Sequence, residues 1–141
     1  MTQIKYGSAG QAGLQTDSFN VVEVLAGDTP AQVTDYGLLQ AGQVAGGIPA
    51  YTPVFVDPET RVVQIATFAA DASGIEANAL TLCDIEAGTV AGSSVPVWKA
   101  GCFNIRAINW HASYVTDGAK FGAFARTMGN QIVIKQQYND L

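Results

Sequence analysis

Apolar residues in this chain recur mostly at every second position and in short runs, the period of pleated strand rather than of helix. Phe19 to Leu25 (FNVVEVL) reads as a strand, and Gly27-Asp28-Thr29-Pro30 then turns the chain. Residues 31–50 are interrupted by Gly37, Gly42, Gly46 and Gly47 and predict short extended pieces and loops. From Pro53 to Phe68 a β-hairpin is expected. Val54 and Val56 flank Phe55, and Asp57-Pro58-Glu59-Thr60 has Asp and Pro where a type I turn wants them. Arg61 to Phe68 (RVVQIATF) then returns. Ala79 to Ile85 (ALTLCDI) alternates again. Ser94 to Ala107 predicts a strand, a bend at Lys99-Ala100-Gly101 and a second strand, with Pro96 placing the first at an edge or delaying its pairing. One segment has the helical period. Phe121, Phe124, Ala125 and Met128 lie at i, i+3, i+4 and i+7, so a helix is expected over about 117–128. Thr116 or Asp117 can cap its start and Gly129 its end. Gly118 and Gly122 each weaken it by about 1 kcal/mol relative to Ala, so packing must hold it. Ile132 to Lys135 is a last short strand.

Residues 1–18 lack this patterning. They are rich in Gly, Gln, Ser and Ala and hold too few large apolar groups to build a core. They read as an arm, either a plain tail or a segment that orders on a partner. Ile4 and Tyr6, two apart, have the spacing a strand edge uses. The expected organisation is an arm over 1–18 and one domain over 19–141. The expected fold class is α+β, mainly β, a compact domain with one clear helix.

Composition sharpens this. Val and Ile number 23 against 7 Leu, and β-branched side chains suit sheet. A chain of 141 residues, 48% apolar, can bury a core without disulfides or metal. Its two cysteines, Cys83 and Cys102, make no disulfide scaffold. No apolar run approaches the roughly 18 residues of a membrane span, and residues 1–10 lack the apolar stretch of a signal peptide. Charged residues are 13%, about half the ~25% usual for soluble domains. Such a surface is short of solubilising groups, as expected where much of it meets other protein, or where the protein is poorly soluble. The charge is uneven: residues 1–86 hold ten acids and two bases, and residues 87–141 two acids and five bases, which sum to −5. Five scattered bases make no nucleic-acid stripe, so no direct nucleic-acid partner is expected.

Catalytic patterns are thin. His111 is the single histidine, and a Cys83 or Cys102 dyad with it would need a chance convergence in the fold; packed thiols are the simpler reading. One His and two cysteines 19 residues apart match no zinc spacing. The acid pairs Asp57/Glu59 and Asp84/Glu86 flank strand ends, where solvated turns explain them better than paired catalytic carboxylates. The Gly7, Gly10, Gly13 series has no strand before it and no helix after it, and no Gly-Lys-Ser/Thr follows any glycine loop. No enzyme, metal or cofactor is expected. Trp98, Trp110 and Tyr114 suit either core packing or an interface.

Three ordered pieces resemble one family. They are Gly47 to Val63 (GIPAYTPVFVDPETRVV), Val97 to Trp110 (VWKAGCFNIRAINW), and Ala112 to Ile134, a loop, an acid-led helix with Lys120 and Phe124, a Gly and a terminal strand. In order and spacing they resemble the lambda-type phage head decoration proteins, across roughly residues 45–136. The chain has extra sequence before residue 45 and in the 69–79 and 87–94 stretches. The resemblance implies a non-enzymatic capsid decoration (cement) protein that stabilises the head against internal DNA pressure. It implies a homotrimer bound to the major capsid protein on the outer surface of an expanded icosahedral head in the virion, made in the host cytoplasm, with no membrane partner. It also implies a capsid-binding arm, here Ile4, Tyr6, Leu14 and Phe19. Trp110, His111 and Tyr114 are expected near the trimer contact. The rival expectations are a tail or baseplate β-domain and a small β-rich ligand-binding module.

Overall fold

The computed structural model describes residues 24–27, 29–41, 46–125 and 130–136. The expected arm, with Ile4, Tyr6, Leu14 and Phe19, lies outside the described residues, as does most of the strand expected over 19–25. The elements are β1 (Leu25–Gly27), β2 (Val33–Leu39), β3 (Pro53–Val56), β4 (Val62–Ile65), β5 (Ala79–Thr81), β6 (Ser94–Asn104), α1 (Asp117–Phe121) and β7 (Gln131–Lys135). Among the described residues the protein is therefore mainly β with a single short helix, as the alternating pattern and the excess of Val and Ile require.

The pairing path closes on itself. β6 pairs β2, β2 pairs β4, β4 pairs β3, β3 pairs β5, and β5 returns to β6. Every pair in this ring is antiparallel except β2–β4, where Leu38 and Leu39 lie beside Val62 and Val63. Closure leaves these strands little free edge. Their inward side chains form one core of Leu39, Ile48, Val54, Val56, Val63, Ala79, Val95 and Val97. Alternate residues of β5 and β6 feed a second core. Leu80 and Phe103 join Ile105, Ile108, Tyr114, Phe124, Ile132 and Ile134 there, with Trp98 and Trp110 packed against it. β5 and the later half of β6 are covered on both faces and fully buried, and their two polar residues, Thr81 and Asn104, are hydrogen-bonded there.

Three expectations change in detail. The bend at Lys99-Ala100-Gly101 does not split the strand. Thr34 pairs Trp98 and Val33 pairs Ala100, so Lys99 is the extra residue of a β-bulge inside one 11-residue β6. Gly101, at φ +149, carries the backbone through, and the strand exchanges β2 and β5 for β1 and β7. Pro96 is no edge marker, since Tyr36 pairs it on one side. On the other side the β5 ladder ends at Thr81 beside Val97, and the Pro96 carbonyl accepts the Leu82 N–H at 3.0 Å, so the missing donor falls where the ladder stops. Gly37, read as a breaker, lies inside β2. A Cβ there would collide with Val63 Cγ2 and reach the Arg61 carbonyl at 3.1 Å, so the parallel approach of β2 to β4 requires glycine.

The β3–β4 hairpin forms as expected, with Val56 opposite Val63. Asp57 Oδ1 accepts the N–H groups of Glu59 and Thr60 at 2.8 and 3.3 Å. The closing bond runs from Arg61 N–H to the Asp57 carbonyl at 2.8 Å, one residue beyond a type I turn, and Arg61 takes φ +67. The helix starts where expected, capped by Thr116 Oγ1 accepting the Ala119 N–H at 3.2 Å. Its helical part ends at Phe121 with Gly122 as C-cap, and Ala123 to Ala125 continue in turns closed by Ala123 N–H to Lys120 O and Ala125 N–H to Gly122 O. Residues 126–129, including Met128 and Gly129, lie outside the described residues.

Asparagine amides close strands where backbone partners run out. Asn78 accepts the Val56 N–H at 2.8 Å and donates to the Val56 carbonyl at 3.0 Å. Asn130 does the same for Ile132, at 3.0 and 2.9 Å. Each side-chain amide reproduces one step of a β-ladder, so buried backbone groups stay paired.

Candidate interaction surfaces

The loop after β6 places the three residues expected at a trimer contact. Trp110 is half-buried, its indole N–H donating to the Ile105 carbonyl at 3.0 Å. Its ring meets Tyr114 at 5.1 Å between centroids. Tyr114 is 6% exposed and belongs to the second core, and its burial raises the pKa of its hydroxyl. His111 is exposed. Within a single chain, then, Trp110 and His111 keep surface that a partner can reach, and Tyr114 is spent mainly on packing. Trp110 and His111 also line an open cleft of about 360 Å³ with Pro49, Thr52, Ile65 and Asn109.

His111 finds its partner in a serine rather than a cysteine. Its Nδ1 accepts the Ser113 N–H at 3.1 Å and lies 2.9 Å from Ser113 Oγ, which accepts the Phe68 N–H at 2.8 Å. A ring nitrogen that accepts from a backbone N–H carries no proton, so the Ser113 hydroxyl donates to it. The couple has the reach of a nucleophile and base. Yet the Ser113 hydroxyl also serves Phe68 N–H, and the distances describe a tie between two loops. Cys102 is buried and Cys83 exposed, both free. Among the described residues no group of three or more His, Cys, Asp or Glu side chains is placed to hold a metal.

The acid pairs are used by the backbone. Asp57 holds its turn, and Asp84 Oδ1 accepts the Ala50 N–H at 2.7 Å, tying two loops together. Asp35 is a charged partner that the sequence did not single out. Arg61 Nη2 reaches its carboxylate at 2.6 Å and the Tyr36 carbonyl at 2.5 Å, and the guanidinium lies 4.6 Å from the Tyr36 ring centroid. The Arg61 hydrogen bond holds the Asp35 carboxyl below its ordinary value, against a smaller opposing effect of burial.

An apolar concavity was not legible beforehand. Phe68, Tyr114, Gly74, Gly118, Ala119 and Gly122 are among the walls of a groove of about 300 Å³ between the 67–76 loop and α1. Phe68 is 43% exposed. Val115 and Phe121, each next in sequence to a groove residue, are 82% and 43% exposed. The sequence held two partial signals, a Phe at the end of the expected hairpin and a Gly118/Gly122 spacing on the helix, but nothing said that they would meet. No helix among the described residues is long and apolar enough to cross a membrane. In comparisons with known proteins, no family model and no curated protein matches the chain.

Proposed function

We propose that this chain is a capsid decoration protein, bound as a homotrimer to the major capsid protein on the outside of an expanded icosahedral phage head. Its role is to hold neighbouring capsomers against internal DNA pressure, without catalysis. The observation that carries this reading is the apolar groove with the exposed Phe68 on its wall, on a chain only 13% charged. An apolar concavity with a large exposed aromatic on its wall is what a docking surface needs. The groove includes residues of the third family-like piece, Ala112 to Ile134, and the resemblance supplies the shell as partner.

The arm, residues 1–18, supplies the second contact through Ile4, Tyr6 and Leu14, with Phe19 at its junction with the domain also meeting the shell. Ile4 and Tyr6 suit strand addition, where backbone bonds hold and alternate side chains select. An arm that folds on binding gives up affinity per contact. Three arms on one trimer act together, and linked sites raise avidity by about 10²–10⁴.

The test is cosedimentation of the purified protein with expanded heads of its parent phage, with unexpanded proheads as control. Saturable binding to expanded heads, in multiples of three per three-fold site, is expected. Binding to neither form would overturn the proposal.

A further inference from the structure

We propose that a second, polar cleft is a binding site for a hydroxylated monocarboxylate about the size of one sugar ring, a uronic acid being the simplest example. The cleft lies where the turn after β6, α1 and the end of β7 meet. It encloses about 280 Å³, and Arg106, Lys120, Asp117, Gln136 and Trp110 line it, with Ile105 and Ile108. The inference does not depend on the decoration reading.

The chemistry follows from what these groups leave unmet. Among the described residues, neither Arg106 nor Lys120 has a side-chain ion-pair or hydrogen-bond partner, while Arg61 is paired with Asp35. Two cations on one cleft of this size attract an anion. Asp117 stands in the same cleft and changes which anion fits. The described lining residues carry two positive charges and one negative and so match a single negative charge, and a dianion such as phosphate would press its second charge against Asp117. An ionised Asp accepts hydrogen bonds and donates none, and the Gln136 amide does both. Both therefore want hydroxyl groups on the ligand beside its carboxylate. The remaining wall is apolar: the Trp110 ring, with its N–H already used by the Ile105 carbonyl, and the nearly buried Ile105 and Ile108. The C–H face of a sugar ring suits such a wall. A carboxylate, hydroxyls and one apolar face are together the composition of a sugar acid.

The volume sets the scale. Ligand pockets run from about 300 Å³ upward, so this cleft holds one ring and not a chain of them. A ligand of so few atoms in an open cleft binds with a Kd of about 1 mM.

The experiment is a ¹⁵N NMR titration of the full chain with sodium glucuronate, following the Trp110 indole N–H, assigned by its loss in Trp110→Phe. Glucose, acetate and inorganic phosphate are the comparison ligands. A saturable shift with glucuronate is expected, with glucose and acetate each at least about tenfold weaker and Arg106→Gln and Lys120→Gln raising the Kd about tenfold. Three results would overturn the proposal: no saturable shift up to about 50 mM glucuronate, phosphate binding as tightly as glucuronate, or unchanged binding in both charge variants. Asp140, four residues beyond Gln136, carries the same carboxylate on this chain. If Asp140→Asn alone shifts the Trp110 resonance without ligand, the cleft belongs to the chain's own end rather than to a free acid, and the proposal fails.

Discussion

At the scale of single residues, the most informative charge is Asp35. Its carboxyl is held below its ordinary value chiefly by the Arg61 hydrogen bond. A carboxyl depressed in the folded state stabilises it fully above the unfolded value, about 3.9, and that contribution is lost as pH falls through the lower folded value. Both side chains are about one-third exposed, at 31%, so solvent screens the pair. Asp35→Asn is expected to lose at most about 1 kcal/mol at neutral pH, as for other partly exposed ion pairs. Urea unfolding at a series of pH values checks this: the difference from wild type should close below about pH 4. The difference is the diagnostic quantity, because Ser73 also holds the exposed Asp71 carboxyl down and adds to the same acid limb. A gap that persisted at pH 2 would show that the pair is not what Asp35 contributes. Neither Asp35 nor its partner was legible in the sequence. They lie 26 positions apart and meet only because β2 runs parallel to β4, with Arg61 at the start of β4.

At the scale of elements, the helix shows how far a period carries. The spacing of Phe121, Phe124, Ala125 and Met128 predicts that both phenylalanines face the core. In the structure Phe124 is 1% exposed and Phe121 is 43% exposed. Gly122 explains the difference. It caps the helix instead of extending it, and the following turns carry Phe124 into the second core while Phe121 stays outside. Phe124→Ala is expected to cost about 3–5 kcal/mol, as for large buried aromatics. Phe121→Ala should stay within about 0.5 kcal/mol. Thermal and urea unfolding of the two variants side by side check this, and equal losses would mean that the helix runs on past Gly122. The bulge in β6 shifts its alternation by one residue, but the later half of the strand is covered on both faces, so the apolar run there is buried whatever its phase. Lys99 interrupts the pairing, yet Val95, Val97, Ala100 and Phe103 all stay buried.

At the scale of the whole molecule, the described members of both cores lie within residues 24–134. Residues 1–18 hold too few large apolar groups to build a core, so removing them is expected to leave the melting temperature within about 2 °C. Under the decoration reading the same truncation abolishes head binding, and a truncated protein that still cosediments with expanded heads would sink the role given to the arm. The sequence by itself determined the class of the fold: alternating Val and Ile, the hairpin over 53–68 and the capped start at Asp117 are local properties, written in neighbouring residues. It also placed Asp57 and Asp84 at turns rather than in a site. Only the tertiary structure decided that the strands close into a ring, that β6 serves two cores, and that Phe68 meets α1 across an apolar groove. It alone brought Arg106, Lys120 and Gln136 to one cleft. Those facts depend on which strands pair and in what register, and pairing is fixed by burial and backbone hydrogen bonds between residues far apart in the chain.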